Sequence, residues 1–137
     1  MTRLIALTAA AVLGVVALAN VQGGEQSRSH QAVLVHFDYG PRDLAPFFQL
    51  EDRLEQAIKA SGAGEYDCNE LAIDGSDGTL YMYGPDADKL FAVVKPPLQS
   101  SQLLKNVVVT LRYGAVGDKT AREGKFVLAP NNRWSGP

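Results

Sequence analysis

Apolar and polar residues alternate over several stretches of the chain, and this alternation predicts β-strands. The same stretches are rich in β-branched and aromatic residues, which strands favour. The predicted strands cover residues 32–38, 65–73, 79–83 and 106–113, with a fifth, edge strand over residues 124–128. Alternation is least regular over residues 65–73, so the register of this strand is less well defined by the sequence than that of the other strands.

A run of turn-forming residues, DGSDG at positions 74–78, separates the second and third predicted strands. Asp, Gly and Ser favour a tight reversal of the chain. We therefore expect an antiparallel hairpin. Its second strand places Leu80 and Met82 on one face and Tyr81 and Tyr83 on the other.

Between residues 44 and 60 the apolar residues recur three and four positions apart, which is the spacing of an amphipathic helix. The apolar positions of this predicted helix are Phe47, Leu50, Leu54, Ala57 and Ile58. Asp43 is suited to cap its first turn, and Gly62 is suited to end it in the left-handed conformation.

A second helix is predicted to begin at Asp86 or Asp88, either of which can act as the N-cap. Its apolar residues are Leu90, Phe91, Val93 and Val94. The pair Pro96-Pro97 lacks two backbone donors, so we expect the regular helix to stop there and a short turn to follow.

The predicted elements follow one another in the order β-α-β-β-α-β, with one further strand. This order is similar to that of ferredoxin-like α+β domains, in which an antiparallel sheet carries two helices on one face. Such a sandwich makes the first and third strands central neighbours. Residues 65–88, EYDCNELAIDGSDGTLYMYGPDAD, also resemble stretches in small uncharacterised bacterial exported proteins, a resemblance that implies no named activity.

The chain begins with the three parts of a signal peptide over residues 1–19. Arg3 supplies a positive charge, an uncharged apolar run begins at Leu4, and Ala17 and Ala19 provide the small residues that signal peptidase requires. Cleavage is predicted after Ala19, which would make the protein periplasmic or secreted. Because the segment from Leu4 to Val21 carries no charge and is close to the shortest membrane span, an uncleaved N-terminal anchor is the alternative.

The rest of the chain divides into a spacer, one domain and a tail. Residues 20–31 are polar and contain Gly and Ser, which is typical of a flexible spacer. Residues 32–129 are predicted to form a single α+β domain, followed by a loose tail over residues 130–137. A chain of 137 residues can bury one sizeable core but is short for two domains.

The charge balance argues against one class of partner. The chain has 13 Lys and Arg residues against 15 Asp and Glu residues, a formal net charge of −2. Affinity for nucleic acid comes mainly from Lys and Arg on phosphates, so no nucleic-acid partner is expected. Contact with a membrane is expected only through the leader, if that leader remains uncleaved.

Strand alternation gives the predicted sheet two different faces. The face directed at the helices is apolar and consists of Val33, Val35, Phe37, Leu80, Met82, Val107, Val109 and Leu111. The opposite face carries the candidate binding residues His36, Asp38, Tyr81, Tyr83 and Arg112. Such an exposed cluster suits a ligand or a partner chain. The simpler interpretation is a solvated face stabilised by cross-strand pairs.

The sequence offers little for metal or redox chemistry. His30 and His36 do not form a ligand pattern, and the acidic residues between positions 67 and 88 suit turns and helix caps. The single cysteine, Cys68, cannot form an internal disulfide, and we expect it to be buried in its strand rather than to act as a nucleophile. No catalytic residue, metal ligand or cofactor is predicted.

Three functional hypotheses remain. The first is an exported domain that binds an unknown protein or small molecule, with a homodimer as one form of such binding. The second is a small enzyme in which His36 acts as acid and base while Tyr81 or Arg112 orients a substrate. The third is an accessory protein anchored in a membrane by an uncleaved leader. A pocket containing His36 would favour the enzyme, and a flat face would favour the binding domain.

Overall fold

The computed structural model of the chain describes residues 30–130. The predicted signal peptide, nearly all of the spacer and the tail beyond Pro130 lie outside the described residues. The elements are β1 Gln31–Asp38, α1 Ala45–Ser61, β2 Glu65–Leu71, β3 Asp77–Gly84, α2 Ala87–Ser100, β4 Lys105–Tyr113 and β5 Arg122–Val127. Gln31, which the sequence analysis assigned to the spacer, is therefore the first residue of β1.

The strands form an antiparallel sheet in the order β2-β3-β1-β4-β5. β1 lies between β3 and β4, which confirms the prediction that the first and third strands are neighbours in the sheet. β5 pairs with β4 at one edge of the sheet, as the sequence predicts, and begins two positions before residue 124. The described part of the chain is thus an α+β fold with two helices and a five-stranded antiparallel sheet.

Both helices cover the same face of the sheet, and the core lies between them. Every strand residue that was predicted to face the helices is buried. The helices bury one stripe each, formed by Phe47, Leu50, Leu54 and Ile58 in α1 and by Ala87, Leu90, Val94 and Leu98 in α2. Full burial of one large apolar side chain contributes about 1.5–3 kcal/mol, so these stripes stabilise the fold. Because both helices lie on one face of the sheet, the other face is not covered by a helix.

The helix ends largely follow the local sequence signals. Gly62 ends α1 with a φ of 66°, and the Asp86 side chain caps α2 by accepting a hydrogen bond from the Lys89 backbone at 3.0 Å. At the start of α1 the N-cap position belongs to Leu44 instead of Asp43. The Asp43 carboxylate still accepts a hydrogen bond from the Ala45 backbone amide in the first turn at 3.0 Å, although Asp43 lies one residue before the N-cap position.

Helix α2 continues through Pro96 and Pro97 to Ser100, so the predicted stop at the two prolines is wrong. Each proline removes a backbone donor from the helix. Leu98 lies beyond both prolines, is only 2% exposed, and extends the buried stripe of Leu90 and Val94. Burial of Leu98 in the core therefore offsets part of the local cost.

Strand β2 ends at Leu71, two residues earlier than predicted. Ile73 lies in the turn that follows, and its side chain is fully exposed. The pairing of β2 with β3 also changes register between Tyr66 and Cys68. This irregular pairing at an edge of the sheet is the physical reason for the imperfect alternation in the sequence.

Candidate functional site

The sheet surface directed away from the helices, here called the open face, carries all five candidate binding residues. Pairing across the strands sets part of this face in rows. Tyr83, Ala32 and Arg112 lie opposite one another on β3, β1 and β4, and Tyr81 pairs with Leu34 in the adjacent row. Because cross-strand neighbours are close enough for side-chain contact, these rows bring aromatic, aliphatic and cationic groups together.

A hollow of about 150 Å³ opens in this part of the face. The small Ala32 lies between the larger side chains of Tyr83 and Arg112, which leaves space above the sheet. The residues that line the hollow are Ala32, Leu34, Tyr81, Tyr83, Arg112, Gly114 and Val116. We call this site the Arg112 hollow. Three of the five candidates line it, namely Tyr81, Tyr83 and Arg112.

The volume of the Arg112 hollow limits what can occupy it. An apolar cavity of about 150 Å³ holds a molecule the size of benzene. Sites for whole small-molecule ligands and cofactors usually have about 300–1,000 Å³. The hollow therefore fits one side chain or the end of a chain.

The guanidinium of Arg112 is held in place from two sides. Its Nη2 donates to the backbone carbonyl of Asp118, and its Nη1 lies 3.9 Å from Glu123 Oε1. The Nε atom is buried and has no hydrogen-bond partner among the described residues. A buried donor without an acceptor costs about 1–3 kcal/mol, so the placement of Arg112 is maintained by its other contacts at the expense of this atom.

The two tyrosines of the hollow differ in their hydrogen bonding. The Tyr81 hydroxyl donates to Glu70 Oε2 at 2.8 Å, and this bond, followed by burial, raises the pKa of Tyr81. Burial is the main cause that raises the pKa of Tyr83, with Asp67 as a further cause. Both phenols therefore keep their protons at neutral pH, and both can act as hydrogen-bond donors.

His36 and Asp38 lie on the open face but do not line the hollow. His36 Nδ1 is 3.2 Å from Thr79 Oγ1, and His36 Nε2 is 3.9 Å from Asp77 Oδ2. Asp38 Oδ2 accepts a hydrogen bond from Asn106 Nδ2 at 2.6 Å. Three of the five candidates therefore form the hollow. The other two, His36 and Asp38, contact side chains on the adjacent strands β3 and β4.

Cys68 is exposed, so the expectation of a buried thiol is wrong. It lies opposite Tyr81 on the edge strand β2, where no further strand covers it within residues 30–130. Although the residue is exposed, partial desolvation contributes most to a raised pKa of the Cys68 thiol, and the hydrogen bond to the Asp67 carboxylate adds to it. A raised pKa reduces the thiolate fraction, which makes Cys68 a poor nucleophile at neutral pH.

A larger cleft of about 800 Å³ lies at the other end of β1, where the end of α2 meets the start of β4 and the end of β5. Asn106 borders it and adopts a φ of 49°, a left-handed conformation that Asn tolerates better than most residues. Ser101 is buried there, and its hydroxyl accepts from the Leu103 backbone at 3.3 Å. The sequence analysis missed this cleft, because it forms only when three separate segments meet.

The loop after β4 supplies the part of the Arg112 hollow that sequence reasoning did not identify. Gly114 and Val116 line the hollow, and the Asp118 carbonyl accepts the Arg112 hydrogen bond. Asp118 also accepts from the Thr120 amide at 2.8 Å, which stabilises the turn. A Gly-containing, charged loop has no periodic pattern, so no sequence signal indicated where it would lie.

Comparison with known protein families, with curated proteins and with solved structures finds no match to this chain. Within residues 30–130, no group of three or more His, Cys, Asp or Glu side chains is arranged to hold a metal ion. The same residues contain no helix that is both long and apolar enough to cross a membrane.

Proposed function

We propose that the protein is an exported binding domain that holds a partner protein against the open face of its sheet. The observation that carries this proposal is the Arg112 hollow, where aromatic and aliphatic side chains surround a guanidinium with an unpaired buried donor. Aromatic residues and Arg are the types most often found at the energetic centre of protein interfaces. The size of the hollow suits one anchoring group of a partner.

The enzyme hypothesis receives less support from the open face. It requires a pocket that contains His36, and the Arg112 hollow is lined by other residues. The His36 side chain is 52% exposed and lies beside Thr79, outside any enclosed space that would exclude water from a reaction. We therefore assign His36 to the rim of the binding surface.

Two further assignments belong to this proposal. The strand order β2-β3-β1-β4, with both helices on one face, supports a ferredoxin-like arrangement to which β5 adds an edge strand. The charged and apolar parts of residues 1–19, followed by Ala17-Leu18-Ala19, support export to the periplasm or the medium. A membrane-anchored accessory protein would result if the leader were retained.

The proposal is tested by partner capture from a periplasmic extract with the double variant Tyr81→Ala/Arg112→Ala. Neither residue lies in the helix-covered core, so circular dichroism should show a retained fold. We expect the variant to lose the partners that the wild-type chain captures. Retention of the same partners by the folded variant would contradict the proposal.

A matched control lies on the opposite side of the molecule. Phe48 on α1 is an exposed aromatic residue, with half of its side chain accessible to solvent. Phe48→Ala should leave capture unchanged, because α1 covers the other face of the sheet. Loss of capture in Phe48→Ala together with retention in the double variant would move the binding surface to the helix layer.

A further inference from the structure

Negative charge on the open face is concentrated on the edge strand β2. Glu65 lies opposite Tyr83 of β3, and Glu70 lies opposite Thr79 on the same face. Asp67 lies between them, where the pairing changes register. Burial raises the pKa of Tyr83 most, and the charge of Asp67 adds to it, so Asp67 is close to that phenol. All three acidic residues of β2 are exposed.

No cation within residues 30–130 neutralises the three carboxylates of β2. The strand itself contains no Lys or Arg, and none of the three takes part in an ion pair among the described residues. On the open face, Lys125 lies on β5 at the opposite edge of the sheet. The open face is therefore acidic on the side of β2.

Arg112 does not reverse this balance around the hollow. It is the only Lys or Arg among the described residues that line the hollow, and its Nη1 lies 3.9 Å from Glu123 Oε1. Hydrogen bonds from Thr120 lower the pKa of Asp118 most, and the charge of Arg112 lowers it further, so a second carboxylate lies near the guanidinium. The carboxylates around the hollow thus outnumber its one guanidinium.

The hollow beside this charge is suited to an apolar anchor. Its lining includes the aliphatic side chains of Ala32 and Leu34 and the rings of Tyr81 and Tyr83. The Tyr81 hydroxyl donates to Glu70 Oε2 at 2.8 Å, which links the wall of the hollow directly to β2. A side chain that enters the hollow therefore lies next to the carboxylates of the edge strand.

The spacing of the strands relates the anchor to the charge. β3 separates β1 from β2, so β2 lies about 10 Å from the strand that carries Ala32 and Leu34. In an extended polypeptide, residues two positions apart point to the same side and are separated by about 7 Å. A long Lys or Arg side chain spans the remaining distance. An apolar residue with a basic residue two positions away therefore matches this part of the face.

From this distribution of charge, and on the basis of the proposed function of the open face, we infer that the partner is a basic polypeptide that places one apolar side chain in the Arg112 hollow and a Lys or Arg side chain against the carboxylates of β2. Exposed charges of this kind act mainly on specificity and on the rate of association. A second copy of this chain, with a net charge of −2, is a poorer match.

The inference is tested by nuclear magnetic resonance titration of the purified protein with three peptides that differ only in charge. They are acetyl-Lys-Ala-Leu-Ala-Lys-amide and its counterparts with Gln or Glu in place of both lysines. We expect the lysine peptide to shift backbone signals of β1, β2 and β3 and to bind roughly tenfold more tightly than the glutamate peptide at low salt, with the glutamine peptide between them. Added salt should reduce the difference. Equal binding of all three, tighter binding of the glutamate peptide, or no binding would overturn the inference.

A charge reversal on β2 locates the effect. Glu65→Lys should weaken the lysine peptide severalfold and strengthen the glutamate peptide. Asp52→Lys makes the same change in net charge at an exposed position of α1, on the other side of the molecule, and should leave both peptides unchanged. Equal effects of the two variants would mean that net charge, and not β2, selects the peptide, which would contradict the inference.

The outcomes separate this inference from the proposed function on which it rests. If Tyr81→Ala/Arg112→Ala loses partner capture although the peptides show no preference for positive charge, the inference fails and the proposed function stands. If the folded double variant keeps its partners, the proposed function fails.

Discussion

Tyr66 and Glu51 form a polar contact that joins β2 to α1. The Tyr66 hydroxyl donates to Glu51 Oε1, and Asn69 Nδ2 donates to the same oxygen at 2.5 Å. Burial, followed by the hydrogen bond to Glu51, raises the pKa of Tyr66. This contact stabilises an edge strand whose own pairing is irregular.

The raised pKa of Tyr66 predicts a loss of stability in alkali. An unfolded tyrosine releases its proton at about pH 10, while Tyr66 in the folded protein still holds its proton there. The stabilisation is therefore complete below about pH 10 and is lost as the pH rises further. Tyr66→Phe should lose less free energy of unfolding than wild type between about pH 8 and about pH 11, as measured by chemical denaturation. The other tyrosines are present in both proteins, so equal losses would contradict this role of Tyr66.

Gly62 gives a second test at the scale of single residues. Its φ of 66° is a conformation that side chains with a Cβ resist, although no atom lies within 4 Å of the place a Cβ would occupy. Gly62→Val should therefore destabilise the domain by about 1 kcal/mol or more through backbone strain alone. Gly62→Asn should cost less, because Asn tolerates this conformation. A denaturation midpoint that is unchanged in Gly62→Val would argue against the left-handed cap.

At the same scale, the sequence predicts which side of a strand a residue occupies, but not what covers it. Alternation placed Tyr81, Tyr83 and Arg112 on one face, where the register indeed brings them together. The contact between Arg112 and the Asp118 carbonyl depends on the path of a loop without periodicity. The exposure of Cys68 depends on its place at a sheet edge, which residue preferences alone do not encode.

At the scale of elements, α2 continues past two prolines that disfavour a helix, because residues beyond them pack into the core. Leu98→Ala should destabilise the domain by about 2–5 kcal/mol, because Leu98 is buried although it follows two prolines. Lys95→Ala, at an exposed position just before the prolines, should change the free energy of unfolding by no more than about 0.5 kcal/mol. Chemical denaturation distinguishes the two variants. Similar small losses in both would mean that the helix after Pro97 does not belong to the core.

Most elements could be predicted because their apolar spacing matches the structure that buries them. The stripe of α1 and the alternation of β4 identify both their type and their buried face. β2 is the weakest case, since it pairs on one side only and shifts register at Cys68. Boundaries moved by one or two residues where a turn, as at Ile73, replaced the expected end of a strand.

At the scale of the whole molecule, export of the chain can be measured directly. Ala17-Leu18-Ala19 follows an apolar run rich in small residues, so the mature protein should begin near Asn20. Intact-mass measurement of protein recovered from the periplasm or the medium should give a chain that lacks residues 1–19. Recovery of the full-length chain in washed membranes would show that the leader is an anchor instead.

Under the proposed function, the helix-covered face of the sheet provides stability and the open face provides the binding surface. The helix-covered face contains the core, whereas the open face contains the Arg112 hollow, His36 and the exposed thiol of Cys68. Substitutions on the open face should therefore affect partner binding more than folding. The proposed function depends on this separation.

Site-specific photo-crosslinking can show which face of the molecule contacts a partner. A photoreactive phenylalanine at position 110 lies on the open face, since Thr110 pairs with Leu34 of the hollow. We predict that it forms adducts of higher mass in the compartment where the protein resides, and that Tyr81→Ala/Arg112→Ala in the same chain abolishes them. The same probe at position 48 should give no such adducts. Adducts from position 48 with none from position 110 would contradict binding at the open face and would place the contact on the helix layer.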